Sequence, residues 1–329
     1  MVKKLNVNQD KINNKINKHY SLINIREQGN DDINYSIQMK DKCIVKYIDK
    51  FENVIKENFL KESLKNFYFN INNLKIKKCG FKIIRLLNKK RHLQGQYSLL
   101  KNEIRLNKKI DIEKVVYHEL FHLASSSKTR DKNLVIINCG FSTMVLDYIK
   151  NRGTIKGEAL TEGYTELLAQ RYFDNNNFLR KFEVYAFENK ITESLEEIIG
   201  ENNMSKYYLN SDCASLIEDL SKYSSKEDTI KFIDETDDLY QYEEQGTRKD
   251  ISKAINSYKY INKYLTDTYK NKLDSDISNG NITREEANKC IGRYNSQLPR
   301  GFHMDRIDYF YCDIDPLVQF LEKYNNKKR

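Results

Sequence analysis

Proline is almost missing from this chain, with 2 residues in 329, and glycine is scarce at 12. Both interrupt regular structure, so their scarcity points to a helix-rich fold. No stretch approaches the roughly 20 consecutive apolar residues that span a bilayer, so no membrane partner is expected. The N-terminal run MVKKLNVNQDKINNKIN is basic but lacks an apolar segment, which argues against a secretory signal. No CxxC pair occurs among the six cysteines, Cys43, Cys79, Cys139, Cys213, Cys290 and Cys312. Their wide spacing argues against both a cysteine zinc site and a compact disulfide framework. Reduced thiols and a cytoplasmic location are the matching expectation. A compact Arg/Lys patch is also missing, apart from the tail Lys327-Lys328-Arg329. The net charge is +9, but the lysines are scattered among acidic residues, so no specific nucleic-acid partner is expected.

What is present suffices for a core: 39% hydrophobic residues, with 23 tyrosines and 15 phenylalanines. The length fits one large or two ordinary domains. Residues 1–40 are polar and weakly patterned, and read as an extension. Between Cys43 and Phe69, apolar residues at helical spacing (Ile44, Ile48, Phe51, Ile55, Phe59, Phe67) predict one or two amphipathic helices. Phe81 to Leu87 reads as a buried strand. Residues 95–106, GQYSLLKNEIRL, alternate as a hairpin with Lys101-Asn102 as its turn.

The motif that carries chemistry is His118-Glu119-Leu120-Phe121-His122, an HExxH string in helix-forming sequence. At about 100° per residue, His122 falls about 40° from His118, while Val116, Leu120 and Leu123 fall on a separate apolar stripe with Ile112. Two imidazoles one turn apart can reach one zinc ion, and Glu119 can act on a metal-bound water. The same string also fits a surface helix with two unremarkable histidines.

Catalytic zinc takes three protein ligands and keeps a fourth position open. Residues 157–171, GEALTEGYTELLAQR, repeat Glu158, Glu162 and Glu166 every four residues. Like charges at that spacing cost a helix a few tenths of a kcal/mol per pair, roughly. A cation with its imidazoles would give this acidic stripe a reason; plain solvation is the alternative. Ala159, Ala169 and Gly163 favour close approach by another element.

With these two segments the chain resembles the thermolysin-like zinc metallopeptidases, the gluzincin type with HExxH and a distant glutamate. Their third-ligand helix carries Asn-Glu-x-x-Ser/Thr-Asp/Glu; here the run is Thr161-Glu162-Gly163-Tyr164-Thr165-Glu166, with Thr161 in place of asparagine. The wider pattern HELFH, GFS and LTEGYTELL is similar to metallopeptidase-like proteins of low-GC Gram-positive bacteria. The resemblance implies one Zn²⁺ per chain held by His118, His122 and Glu162. It implies Glu119 as general base and Glu166 as the carboxylate behind one zinc histidine, His118 being the expected one. It also implies an edge strand around Tyr97 and Leu99 that takes up extended peptide by β-addition.

For the oxyanion donor, His303 in GFHMDR is the best candidate, with Tyr164 a weaker one; a His303 without a catalytic role stays open. After about Phe178 the strand signal fades, and helices are expected near 178–190, 203–222, 226–240, 247–275, 282–294 and 315–326. The expected fold is α+β and mostly helical. A zincin-like catalytic half (41–177) has a small mixed sheet, the HExxH helix and the Glu162 helix, and an all-α half (178–329) follows. The expected function is zinc-dependent hydrolysis of a peptide or protein substrate. The alternative is a catalytically inactive metal-binding protein that recognises a protein partner.

Overall fold

The structure, a computed structural model, describes residues 42–72, 74–79, 95–107, 112–131, 134–147, 152–173, 185–245 and 251–297. The polar extension 1–40, the strand expected at 81–87, the helix expected at 315–326 and His303 lie outside these residues. The fold is α+β and mostly helical. Among the described residues it has a small mixed sheet, a four-stranded sheet and ten α-helices.

Helix α1 (Lys42–Asn58) buries Ile48, Phe51 and Ile55, which recur every three or four residues along one face. A short 3₁₀ turn leads into α2 (Lys65–Ile71), which adds Phe67 and Ile71 to the same core. These are the helices that the apolar spacing predicts.

The mixed sheet contains β1 (Lys75–Cys79), β2 (Gly95–Ser98) and β3 (Glu103–Asn107). Strand β3 lies in the middle, parallel to β1 and antiparallel to β2. The expected hairpin is therefore present, with Tyr97 opposite Ile104. It turns earlier than expected. Leu99 belongs to the turn rather than the strand, because the amide of Lys101 donates to Ser98 O at 3.1 Å and that of Asn102 to Leu99 O at 3.2 Å. Asn102 closes the turn at φ 45°, a conformation that asparagine tolerates.

The HExxH motif lies on α3 (Ile112–Ala124), and four strands follow: β4 (Ser126–Asp131), β5 (Leu134–Cys139), β6 (Ser142–Asp147) and β7 (Arg152–Lys156). They form an antiparallel meander in chain order. The run 134–155, LVIINCGFSTMVLDYIKNRGTI, reads from sequence as a strand or two and a loop; the structure puts β5, β6 and β7 on it and adds β4 before them. A two-residue turn, Gly140-Phe141, joins β5 to β6, and Gly140 takes φ 56°, the left-handed region that glycine enters without a Cβ clash. The chain then enters α4 (Glu158–Phe173), which carries the glutamate stripe.

After α4 the described elements are all helices: α5 (Ala186–Ile199), α6 (Glu201–Leu209), α7 (Cys213–Leu220), α8 (Lys226–Gln245), α9 (Ile251–Ser278) and α10 (Arg284–Gln297). The helix expected near 178–190 is described from Ala186 and continues to Ile199, because Ile191, Leu195 and Ile198 extend its buried face. The helix expected over 203–222 is two helices. Ser211 breaks it at φ 55°, and Asp212 restarts α7 by accepting from the Ser215 amide at 3.0 Å. One contiguous core runs from Ile48 to Tyr294 and includes Phe121 of α3 and Tyr164 of α4.

Helices α4 and α5 meet at Gly163. A Cβ there would lie 2.4 Å from both the carbonyl carbon and oxygen of Glu188. Alanine gains up to about 1 kcal/mol of helix propensity over glycine. The clash is with backbone, which cannot swing aside, and overpacking of this kind costs about 1–3 kcal/mol or more. Gly163→Ala is therefore expected to destabilise by about 2 kcal/mol net, a fall in Tm of roughly 4–8 °C by thermal denaturation. An unchanged or higher Tm would mean that α4 and α5 are not in this close contact.

Candidate metal centre

Helix α3 buries Val116, Leu120 and Leu123 in the core. The adjoining face presents His118, Glu119 and His122 to α4, where Glu162 and Glu166 stand one turn apart. Three donor atoms converge. His118 Nε2 is 3.1 Å from His122 Nε2 and 3.3 Å from Glu162 Oε2, and His122 Nε2 is 3.5 Å from Glu162 Oε2. Tetrahedral zinc with bonds of about 2.0–2.1 Å sets its ligand atoms about 3.3–3.4 Å apart. The triangle fits that size, and its donor set suits zinc or a related divalent ion. It is the one group with metal-ligand character among the described residues.

The rings are held from behind. His118 Nδ1 lies 3.0 Å from Glu166 Oε2. Glu166 Oε1 accepts from Gln170 at 2.8 Å, and Gln170 Oε1 accepts from Asn189 at 3.3 Å. Tyr185 stacks on the His118 ring, with centroids 5.7 Å apart and planes 16° from parallel. His122 turns its Nδ1 toward Cys139 Sγ at 3.4 Å. Its backbone carbonyl accepts from Ser126 Oγ at 2.6 Å.

The electrostatics call for positive charge at the triangle. Burial disfavours an imidazolium at His118, but the hydrogen bonds to Glu162 and Glu166 outweigh it and push the pKa up to about 9. Burial opposes charge at His122 too, and the Glu162 carboxylate overrides it, holding the ring well above its ordinary value. Burial alone would raise Glu162, yet His122 and His118 hold it well below the usual carboxylate range. The carboxylates facing both rings thus favour positive charge at the triangle, the charge that a divalent cation would bring.

Glu119 is 5% exposed, and burial raises its pKa against the pull of both histidines. The Tyr97 backbone N–H donates to its carboxylate. Strand β2 comes this close because residue 95 is glycine: a Cβ there would lie 2.4 Å from Val115 Cγ1 and 2.7 Å from Glu119 Oε1.

The structure thus brings His118, Glu119, His122, Glu162 and Glu166 together. Tyr97 reaches the site through its backbone, while its phenol donates to Asn102 Oδ1 at 3.0 Å in its own hairpin. Leu99, in the turn, is off the strand. Tyr164 is fully buried and donates to Glu196 at 2.7 Å, away from the metal ligands. Sequence reasoning missed Gly95, Cys139, Gln170, Tyr185 and Asn189. Gln170 alone carried a signal, standing one turn beyond Glu166. No protein family, no curated protein and no solved structure matches this chain.

Metal ligation requires deprotonated imidazoles, so ion and protons compete for this site. At pH 7 zinc binding is expected to expel protons from the two rings, since both are held above the ordinary imidazole value. Titration calorimetry in buffers of different ionisation enthalpy measures this release. A value near zero would mean that both rings are neutral before binding.

Proposed function

We propose that this chain is a zinc-dependent metallopeptidase of the thermolysin-like kind, with His118, His122 and Glu162 as ligands. The observation that carries this reading is the convergence of those three donor atoms at 3.1–3.5 Å beside the buried carboxylate of Glu119. Zinc, when bound, supplies a Lewis acid that lowers the pKa of a water toward neutrality and polarises a carbonyl.

The residues of the chain supply the rest. Glu119 takes a proton from the attacking water at its carboxylate and passes it to the leaving amine. Burial raises its pKa, which suits a group that must hold a proton between those two steps. The Tyr97 amide fixes one side of the carboxylate. Among the described residues strand β2 is an outer strand of its sheet beside Glu119, so an extended peptide added along it would pass the base. Glu166 keeps the His118 ring in one orientation through Nδ1, leaving Nε2 for the ion.

A protein that holds metal only to recognise a partner needs the three ligands but has no use for a buried base, and Glu119 favours the catalytic reading. The deciding experiment measures metal content by plasma mass spectrometry and cleavage of a peptide library. The proteins are wild type, a His118→Ala/His122→Ala double variant and Glu119→Gln. About one zinc per wild-type chain is expected, lost in the double variant. Glu119→Gln should keep zinc and lose at least about 100-fold in turnover. No zinc in wild type after reconstitution would sink the proposal; zinc without cleavage would favour the partner-binding reading. In the same assay, Gly95→Ala should keep zinc while lowering kcat by about 100-fold, since the new methyl displaces the base. Full activity in that variant would remove β2 from the catalytic arrangement.

A further inference from the structure

The two candidate zinc histidines are supported differently. His118 has a carboxylate behind it, Glu166. His122 has a sulfur: Cys139 Sγ lies 3.4 Å from Nδ1, with His122 O at 3.6 Å and Ser125 Oγ at 3.8 Å. We propose that Cys139 is the positioning residue for His122, accepting its Nδ1–H and holding the ring so that Nε2 faces the ion. This rests on the metal-site reading above and deepens it.

The argument is geometric. Nε2 of His122 points at His118 and Glu162. A ring that gives Nε2 to a metal carries its hydrogen on Nδ1, and such rings donate that hydrogen to an outer partner. Here the sulfur occupies the partner's place. It does not serve mainly the His122 carbonyl, which already has Ser126 Oγ at 2.6 Å.

The sulfur is also firmly placed. Cys139 ends β5 and is paired on both sides, with Ser126 of β4 and Ser142 of β6. Its own carbonyl accepts from Thr161 Oγ1 at 3.1 Å, and the next amide, Gly140 N–H, donates to Ser125 O at 3.0 Å. Thr161 stands on the helix that carries Glu162. The thiol is thereby referenced to both metal-bearing helices at once. Sulfur accepts more weakly than a carboxylate, so His122 is the less tightly oriented of the two imidazoles.

The test compares wild type, Cys139→Ser and Cys139→Ala. Zinc affinity is read by chelator competition, the visible absorption of the cobalt(II)-substituted protein reports ligand geometry, and thermal melts confirm folding. Cys139→Ala should weaken zinc binding about 10–100-fold and shift the cobalt bands. Cys139→Ser, whose hydroxyl can still accept from Nδ1–H, should recover a large part of both. Wild-type affinity and an unchanged cobalt spectrum in Cys139→Ala would overturn the proposal while leaving the metal site intact. Equal losses in the serine and alanine variants would also overturn it, since they would show that bulk, not an acceptor, matters. Should the alanine variant not fold, the serine variant decides: a loss as large as about 10–100-fold there counts against the proposal and a near-wild-type affinity supports it. Wild type that binds no zinc would remove the metal-site reading and this proposal with it.

Discussion

Opposite charges buried face to face are the constraint on which this structure depends. Glu119 and His122 are 5% and 8% exposed, and Glu162 and His118 lie against them. A lone buried charge costs several kcal/mol, roughly, and breaking a buried pair leaves one behind. The imidazoles on α3 must therefore face the carboxylates on α4, and the two helices have little freedom to slide or rotate. Whether protons or a divalent ion supply the positive charge, the same facing is required.

The surrounding structure fixes that facing at the helix ends. Asn70 of α2 donates to Leu123 O at 2.9 Å and to Ser126 O at 2.7 Å, so it joins a carbonyl at the end of α3 to the start of β4. Asp237 of α8 accepts from the Gly157 and Ala159 amides at 2.6 and 3.0 Å, capping α4 from a distant part of the chain. Burial raises the Asp237 pKa to about 6, and the two amides limit that rise. Between these ends sits the β5–β6 turn. Phe141 N–H donates to Thr161 Oγ1 at 3.1 Å while Gly140 N–H reaches Ser125 O. Thr161, the departure from the expected asparagine, thus ties the glutamate helix to this turn and to Cys139, whose sulfur lies beside His122.

Much of this was legible in the sequence, and the reason is periodicity. The HExxH string, the four-residue glutamate repeat and the apolar stripe of α1 are local patterns that a helix turns directly into faces. Gly163 flagged a close helix approach, and the structure puts the Glu188 backbone there. Other features depend on partners far away in sequence. Strand β1, KIKKC, is dominated by lysines, and its strand character comes from parallel pairing with β3. Strands β4, β6 and β7 are short and mixed in polarity, so they form by pairing in the meander rather than by apolar alternation. Cys139, Tyr185 and Asn189 reach the site only once the chain is folded, and nothing beside them in sequence marks it. Leu99 falls in the turn because backbone hydrogen bonds from Lys101 and Asn102 close it over residues 98–102, which the Lys101-Asn102 pair alone does not mark.

The helices after α4 also act on the site rather than merely following it. Asn189 of α5 reaches His118 through Gln170 and Glu166, and Asp237 of α8 caps the helix that carries Glu162. Both halves share one core. Because the donors at 118, 122 and 162 meet only through that core, the unfolded chain has no such site, and an ion held there would stabilise the folded state alone. The apolar core itself is built from residues outside the site, from Ile48 of α1 to Tyr294 of α10. Small zinc domains with little core collapse without metal. Here an extensive apolar core surrounds the site, so an ion would load into a frame that already stands.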